Sequence, residues 1–236
     1  PGTVIVSAAA HCNDITKVVE PVLQKDGGDI YYINLSKDGH KLGGSSFAQI
    51  LNGIGNEAPS VLDAGYLKGA FNTLQGLIKD GQILAGHDVA SGGLITTLLE
   101  LCFADNDLSA ELDLTGIGES DIIKLLFSEN AGVVLQSKDS SVEKVFEENG
   151  IEFHKIGSVS EGATLHIKNH GVEIGLNIAS LRDTWFKTSY LLDNKQTAQG
   201  LAKERYDNYK EQPLHYVFPS DFTGELPVAS TSLNHR

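Results

Sequence analysis

Ile83-Leu84-Ala85-Gly86-His87-Asp88-Val89-Ala90-Ser91-Gly92-Gly93-Leu94 is the stretch on which the reading of this chain turns. The apolar run from Ile83 to Gly86 has the length of a buried strand, and it ends in a His-Asp pair. Gly92 and Gly93 then turn the chain into Leu94 to Phe103, a run that is apolar nearly all round and therefore predicts an interior helix. A strand tip bearing a carboxylate beside the unpaired N–H groups of a helix start is a place that suits phosphate oxygens. Asp88 is the candidate Mg²⁺ ligand there, because that ion prefers hard oxygen donors. A plainer reading uses the same residues: Asp88 satisfies the turn and the two glycines reverse the chain. Spacing alone favours it, since Gly-rich strand-to-helix turns are common. His87 reads as structural, because no serine or cysteine nucleophile can be tied to it.

Toward the N-terminus, Val4 to Ala8 predicts a strand, and Asn13 or Asp14 predicts the cap of a helix through Val19 that Pro21 and Gly27-Gly28 end. Ile30 to Leu35 is the next expected strand. Lys41-Leu42-Gly43-Gly44-Ser45-Ser46 opens a helical stretch from Phe47 to Leu51, without the Gly-Lys-Ser/Thr ending of a P-loop or the Gly-x-Gly-x-x-Gly of a dinucleotide site. Packing of a strand against a helix is its expected use. Asp63 is placed to cap a helix running to Lys79, closed by Asp80-Gly81.

Toward the C-terminus, the expected order is strand Ala110 to Leu114, helix Asp121 to Phe127, strand Val133 to Gln136 and helix Val142 to Glu148. Strands follow at His154 to Val159, Thr164 to Ile167 and Val172 to Leu176, with Asn169-His170-Gly171 as a hairpin turn. Leu181, Trp185, Thr188 and Leu192 form a helical stripe anchored by Trp185. From Asp193 onward apolar residues thin out, and Pro213, Pro219 and Pro227 interrupt any long helix. The expectation is an α/β (α+β) fold, a mixed β-sheet covered by helices over residues 1–192, with a helical extension and linker over 193–236.

Charge and composition bound the function. The 236 residues carry 31 acidic against 18 basic side chains, a formal charge of -13, which repels phosphate backbones and anionic lipid and argues against nucleic-acid or membrane-surface partners. An apolar fraction of 41% supports a packed core, so wholesale disorder is excluded. No apolar run approaches the roughly 18 residues of a membrane span. Cys12 and Cys102 are too few for a disulfide scaffold, which points to a reducing, cytoplasmic setting. Methionine is absent and a strand is expected after two residues, as for a piece of a longer polypeptide or a chain that has lost its initiator. The eight histidines and two cysteines show no zinc spacing, and Asp105 and Asp107 stop short of a calcium series.

Three segments in register carry a resemblance: Lys41 to Gln49, Ala85 to Asp88 with Gly92-Gly93-Leu94, and Leu126-Phe127-Ser128-Glu129-Asn130-Ala131-Gly132-Val133-Val134-Leu135. Together they resemble the phosphoribosylformylglycinamidine synthases of the large single-chain form, in the second of two domains of the aminoimidazole ribonucleotide synthetase C-terminal type. The resemblance implies an ATP-dependent ligase of purine biosynthesis that amidates formylglycinamide ribonucleotide with ammonia from glutamine. It implies Mg²⁺ and ATP or ADP as cofactors, with Asp88 as metal ligand and Ala90, Gly92 and Gly93 at the nucleotide. The family commonly has serine where Ala90 stands and aspartate where Ser91 stands, so only a backbone contact carries over at Ala90, and a second acidic role is lost. No catalytic residue falls within the chain, which is expected to be inactive alone, and its partners are the preceding and following domains of the full-length enzyme. The alternative is a structural module of the same enzyme that binds no ligand. Selenophosphate synthetase and thiamine monophosphate kinase are related possibilities, against which the long segment after Trp185 argues.

Overall fold

A computed structural model of the chain describes residues 6–221 other than 13, 26, 105, 106, 212–216 and 218. Seven strands form one sheet: β1 (Asp29–Asn34), β2 (Ile83–Asp88), β3 (Leu108–Asp113), β4 (Gly132–Ser137), β5 (His154–Glu161), β6 (Thr164–Asn169) and β7 (Val172–Asn177). Their order is β2-β4-β1-β5-β3-β6-β7, and every pairing is antiparallel except β3 with β6. The sheet is therefore mixed, as the strand-helix alternation and the family resemblance together implied. His170 and Gly171 supply positive φ values of 43° and 85° at the β6–β7 hairpin, the conformation a tight turn of that hand requires.

Helices α1 (Ser46–Ile50), α2 (Ala64–Lys79), α3 (Gly93–Leu101), α4 (Ile122–Phe127) and α5 (Ser141–Glu148) lie within one or two residues of their expected bounds. Asp63 accepts the Tyr66 N–H to start α2, and Asp121 accepts those of Ile123 and Lys124 to start α4. Strand β1 is buried on both sides, with Tyr31 and Ile33 facing Leu74 and Leu77 of α2 and Phe146 of α5. Ile30 and Tyr32 face the other way, into the cluster that holds Leu94 and Leu98 of α3 and Leu125 and Leu126 of α4. The period-two alternation thus serves two cores, one per face. β6 alternates buried and exposed residues, so the far half of the sheet has a solvated face. Cys102 is buried, and burial pushes its thiol up to about 12, so it behaves as a small hydrophobe.

Two expectations need correction. Residues 6–8 carry no strand, and the remainder of the Val4 to Ala8 segment, like Asn13, lies outside the described residues. Asp14 does accept the Thr16 N–H, but only a single 3-10 turn, Ile15–Lys17, follows. Ile15, Thr16, Val18 and Val19 are β-branched, and Ile15 and Val18 are exposed, so no buried face offsets the lost rotamer freedom. The second correction is the Leu181 stripe. Helix α6 (Ile178–Gln196) starts directly at the end of β7, and its buried residues are Ile178 and Arg182, whose guanidinium donates to the Phe103 carbonyl at 2.8 Å. Trp185, although 48% exposed, does anchor the helix through an edge contact with Phe103 at 6.1 Å between centroids, whereas Leu192 is 58% exposed and not part of a buried stripe.

Two compact units divide the chain, Pro1–Thr188 and Ser189–Arg236. The second holds the end of α6 and α7 (Leu201–Asn208), where Tyr190 stacks on Tyr206 with centroids 4.9 Å apart and Arg205 pairs with Asp193 at 2.9 Å. Among the described residues no helix is long and apolar enough to cross a membrane.

Candidate functional site

β2 extends two residues past the predicted Gly86, so His87 and Asp88 are its last two residues, paired to Val134 and Val133 of β4. The Asp88 carboxylate is 79% exposed. Its main chain is braced: the carbonyl accepts the Thr97 hydroxyl of α3 at 3.0 Å and lies 2.9 Å from His87 Nδ1. The same Nδ1 is 3.4 Å from Asp88 Oδ1, while Nε2 is 2.9 Å from Glu100 Oε2. Glu100 Oε1 in turn accepts the Trp185 indole N–H at 3.1 Å. His87 is thus held by protein groups on both ring nitrogens, in line with a structural role. Sequence reasoning gave Glu100 no role, although the one charged residue of an otherwise apolar helix needs a partner.

Ala90 and Ser91 are exposed at the turn, and Gly92 caps α3 in the left-handed region with φ 93°. A Cβ on Gly92 would lie 2.2 Å from Thr96 Oγ1. One on Gly93, at φ 76°, would lie 2.7 Å from the Leu126 carbonyl oxygen. Both glycines are therefore required by the fold itself. No side chain of the turn caps α3, and its first turn has no acidic residue. The donor is satisfied from elsewhere: Gly92 N–H donates to Glu129 Oε1 at 2.8 Å, and the same oxygen accepts the Ser46 N–H of α1 at 2.7 Å. Burial alone would raise the Glu129 carboxyl, but the two backbone bonds and the Ser46 hydroxyl outweigh it and hold the group below its usual range.

Glu129 was quoted within a motif, yet sequence reasoning assigned it no role. The available signal was an acid between a helix end and a strand, flanked by Ser128 and Asn130, which are 2% and 1% exposed. The three motif segments meet at this one oxygen. Lys41 to Ser46 does not pack a strand on a helix, as expected, but folds against its own loop, with Gly43 N–H on the Glu57 carbonyl and Gly44 N–H on that of Ile54.

On the α2 side of the strand tip lies a mainly apolar cleft of about 320 Å³, lined by Val19, Pro21, Ile78, Val133 and Leu135 with Asp88 at its margin. A Cβ on Gly86 would come within 3.6 Å of Val19 Cγ1, so the missing side chain is part of what leaves the cleft open. As a metal site the tip is partial. Among the described residues no three His, Cys, Asp or Glu side chains are placed to hold a metal ion together. One exposed carboxylate nonetheless fits Mg²⁺, which is commonly held by one or two carboxylates together with waters and substrate phosphates.

Residues 25–168 match the family model for AIR synthase related protein, C-terminal domain. A probable phosphoribosylformylglycinamidine synthase of Arabidopsis thaliana, designated chloroplastic/mitochondrial, is 37% identical over 83% of this chain and 14% of its own length. The phosphoribosylformylglycinamidine synthase of Homo sapiens is 32% identical over 94% of this chain and 17% of its own length. The chain thus spans 14% to 17% of the length of these relatives. Among solved structures, PurLQS of Thermotoga maritima superposes with a TM-score of 0.55 at 14% identity, covering 71% of this chain and 28% of that one. The T. maritima PurL complexed with ATP gives 0.54 at 15% identity, with 71% and 28% covered. These likenesses establish the fold.

Proposed function

Because the chain belongs to the family of AIR synthase related proteins, matched through their C-terminal domain, we propose that it is one part of a phosphoribosylformylglycinamidine synthase and supplies one wall of a nucleotide–Mg²⁺ site. On this reading residues 1–192 are the domain, and 193–236 are the connector toward a glutaminase domain. The complete ligase amidates formylglycinamide ribonucleotide at the expense of ATP, with glutamine as nitrogen donor, in the cytoplasm. This chain carries no catalytic residue of that reaction and is inactive alone.

Asp88 is the metal ligand, the Ala90 main chain touches the nucleotide, and the Gly92-Gly93 turn allows close approach. Held at Asp88, Mg²⁺ would supply positive charge that offsets that of the ATP or ADP phosphates. The residues of this chain orient it: Thr97 and His87 fix the Asp88 main chain, so its carboxylate projects from a rigid strand end. The observation that carries the reading is that 79% exposure at a braced tip. An exposed acid tied down by its backbone is placed for a ligand that the rest of the enzyme completes. The test joins the chain to the domain that precedes it in the relatives and measures retention of ATP with Mg²⁺. Asp88→Asn is expected to weaken retention about tenfold or more, the equivalent of about 1.4 kcal/mol.

A second reading has an observation of its own. Both glycines of the turn are accounted for by internal packing, and the Gly92 N–H is already bonded to Glu129. That favours a structural module of the same enzyme that binds no ligand. Equal retention by Asp88→Asn and the unaltered protein would support it and end the metal-ligand reading.

A further inference from the structure

The start of α3 is where a phosphate was expected, yet a side chain of the protein already sits there. We propose that Glu129 is the resident anion and positioning residue of this site. On this proposal its carboxylate fills the α3 N-terminus, so phosphate reaches the strand tip only when bridged by a metal on Asp88. The proposal deepens the reading above and rests on it only for the statement that a phosphate ligand comes to this end of the sheet.

Three observations carry it. The first is geometric: a single oxygen, Glu129 Oε1, takes the Gly92 N–H at 2.8 Å and the Ser46 N–H at 2.7 Å, bringing two segments that are 46 residues apart in sequence onto one acceptor. The second is the lack of any other cap. Gly92 has no side chain, α3 has no acid in its first turn, and the positive end of its dipole is complemented by Glu129 alone among the described hydrogen bonds. The third is the rigidity of delivery. Ser128 closes α4 with its N–H on the Lys124 carbonyl. Asn130, buried, directs its Nδ2 at Ser36 Oγ and at the carbonyls of Asp38 and Gly39, at 3.0 to 3.2 Å. The carboxylate is therefore presented from a backbone pinned on both sides, and it costs little reorganisation to keep in place.

The consequence is chemical selectivity. A free phosphate, or a nucleotide without metal, meets a carboxylate where it would need bare amides, and like charges repel. A metal-bound phosphate is turned toward Asp88 on the strand and does not compete for Gly92. Glu129 accordingly positions the turn that presents Ala90 without itself touching the ligand.

The experiment follows the Gly92 and Ser46 amide resonances in the ¹⁵N-labelled 236-residue chain, with inorganic phosphate as probe and Mn²⁺ as a separate paramagnetic probe. In the unaltered chain, millimolar phosphate is expected to leave both amides unmoved. In Glu129→Ala they are expected to shift together along one saturable curve. Glu129→Gln keeps an acceptor oxygen in nearly the same volume and is expected to hold both amides against phosphate; a shift as large as that of Glu129→Ala overturns the proposal. A phosphate-dependent shift of Gly92 in the unaltered chain overturns the proposal, whether or not Glu129→Ala folds. So does a folded Glu129→Ala whose amides ignore phosphate. Mn²⁺ added alone reads the other claim: broadening centred on carboxylates away from Asp88 counts against the metal ligand and leaves the Glu129 result intact.

Discussion

The chain enters α1 and α3 through two glycine-rich turns that look alike in sequence and are built differently. At α1, Ser45 caps its own helix: its hydroxyl donates to the Leu42 carbonyl at 2.6 Å and accepts the Ala48 N–H at 3.2 Å. At α3 the cap is Gly92, which has nothing to offer, and the acceptor comes from Glu129, 37 residues further along the chain. The first turn carries its own hydroxyl cap and shares Glu129 only through the Ser46 N–H, and beyond it Ile50, Leu51 and Ile54 are exposed. The second is completed only by tertiary structure, and its helix is embedded through Leu94, Leu98 and Leu101. A helix start with no side-chain cap of its own depends wholly on the outside anion; one that also carries a hydroxyl cap depends on it less.

The sharpest way to break this contrast is at Gly93. A methyl there would meet the Leu126 carbonyl oxygen at 2.7 Å and the Phe127 backbone at 2.8 Å, with φ at 76°. All of the obstructing atoms are main chain, so none can swing aside. Gly93→Ala is expected to lose roughly 3 kcal/mol or more, the sum of overpacking and left-handed strain, read as a lower denaturant midpoint. Gly44 in the other turn has a similar φ of 74°, but its methyl would find only Ala58 Cβ at 4.0 Å. Gly44→Ala should therefore cost only the conformational penalty, about 1–2 kcal/mol. Equal losses at the two glycines would show that α3 is not fixed from outside in the way described.

The same contrast explains what could be read from sequence. Strands β1, β4 and β6 and helices α2, α4 and α5 were legible because their signals are local: an alternation, a cap and an apolar face lie within one segment. Even β2 was placed, although it was ended two residues early, because the apolar run stops before His87 and Asp88, which the structure carries on as strand positions pairing with Val134 and Val133. The single turn at Ile15–Lys17 was overread, since Asp14 gives the cap signal whether or not a buried face follows. The face of α6 was misassigned because its start at Ile178 is set by the end of β7, which turns the buried side toward Arg182. At the candidate site, Asp88 and the glycines were visible as types. The role of Glu129 was not, because it depends on bringing residues 46, 92 and 129 together, and no local pattern encodes that meeting.

A smaller perturbation sharpens the comparison from the α1 side. Ser45 is 1% exposed, and Ser45→Ala removes both the cap on Ala48 and the bond to Leu42. The expected loss is about 1 kcal/mol, typical of a hydroxyl cap. In the spectrum of that variant, the Ala48 amide should move while Gly92 stays in place. Movement of Gly92 by a similar amount would mean that the two helix starts are coupled through Glu129 more tightly than separate caps allow.

The smallest expected change is also the one that separates the two caps by chemistry. A hydroxyl does not titrate in the acid range, whereas Glu129 does, and its folded-state carboxyl lies below its ordinary value of 4.5. As pH falls the unfolded chain binds that proton first, so the contribution of the carboxylate is fully present above 4.5 and is lost as pH drops through the folded-state value. Glu129→Gln keeps an acceptor but has nothing to protonate, so its stability deficit should narrow on acidification. The deficit of Ser45→Ala should stay constant over the same range. Asp38, next to the α1 turn, is likewise held low by Lys41, opposed by burial, with help from the Ser60 and Gly39 N–H groups. It titrates in every variant and cancels in these differences. Denaturation midpoints for the three proteins at about pH 6 and about pH 4 supply the test, because the window spans the ordinary carboxylate range. A Glu129→Gln deficit that does not change with pH would mean that the carboxylate contributes shape alone at the α3 start, and the contrast between a titrating cap and a fixed one would disappear.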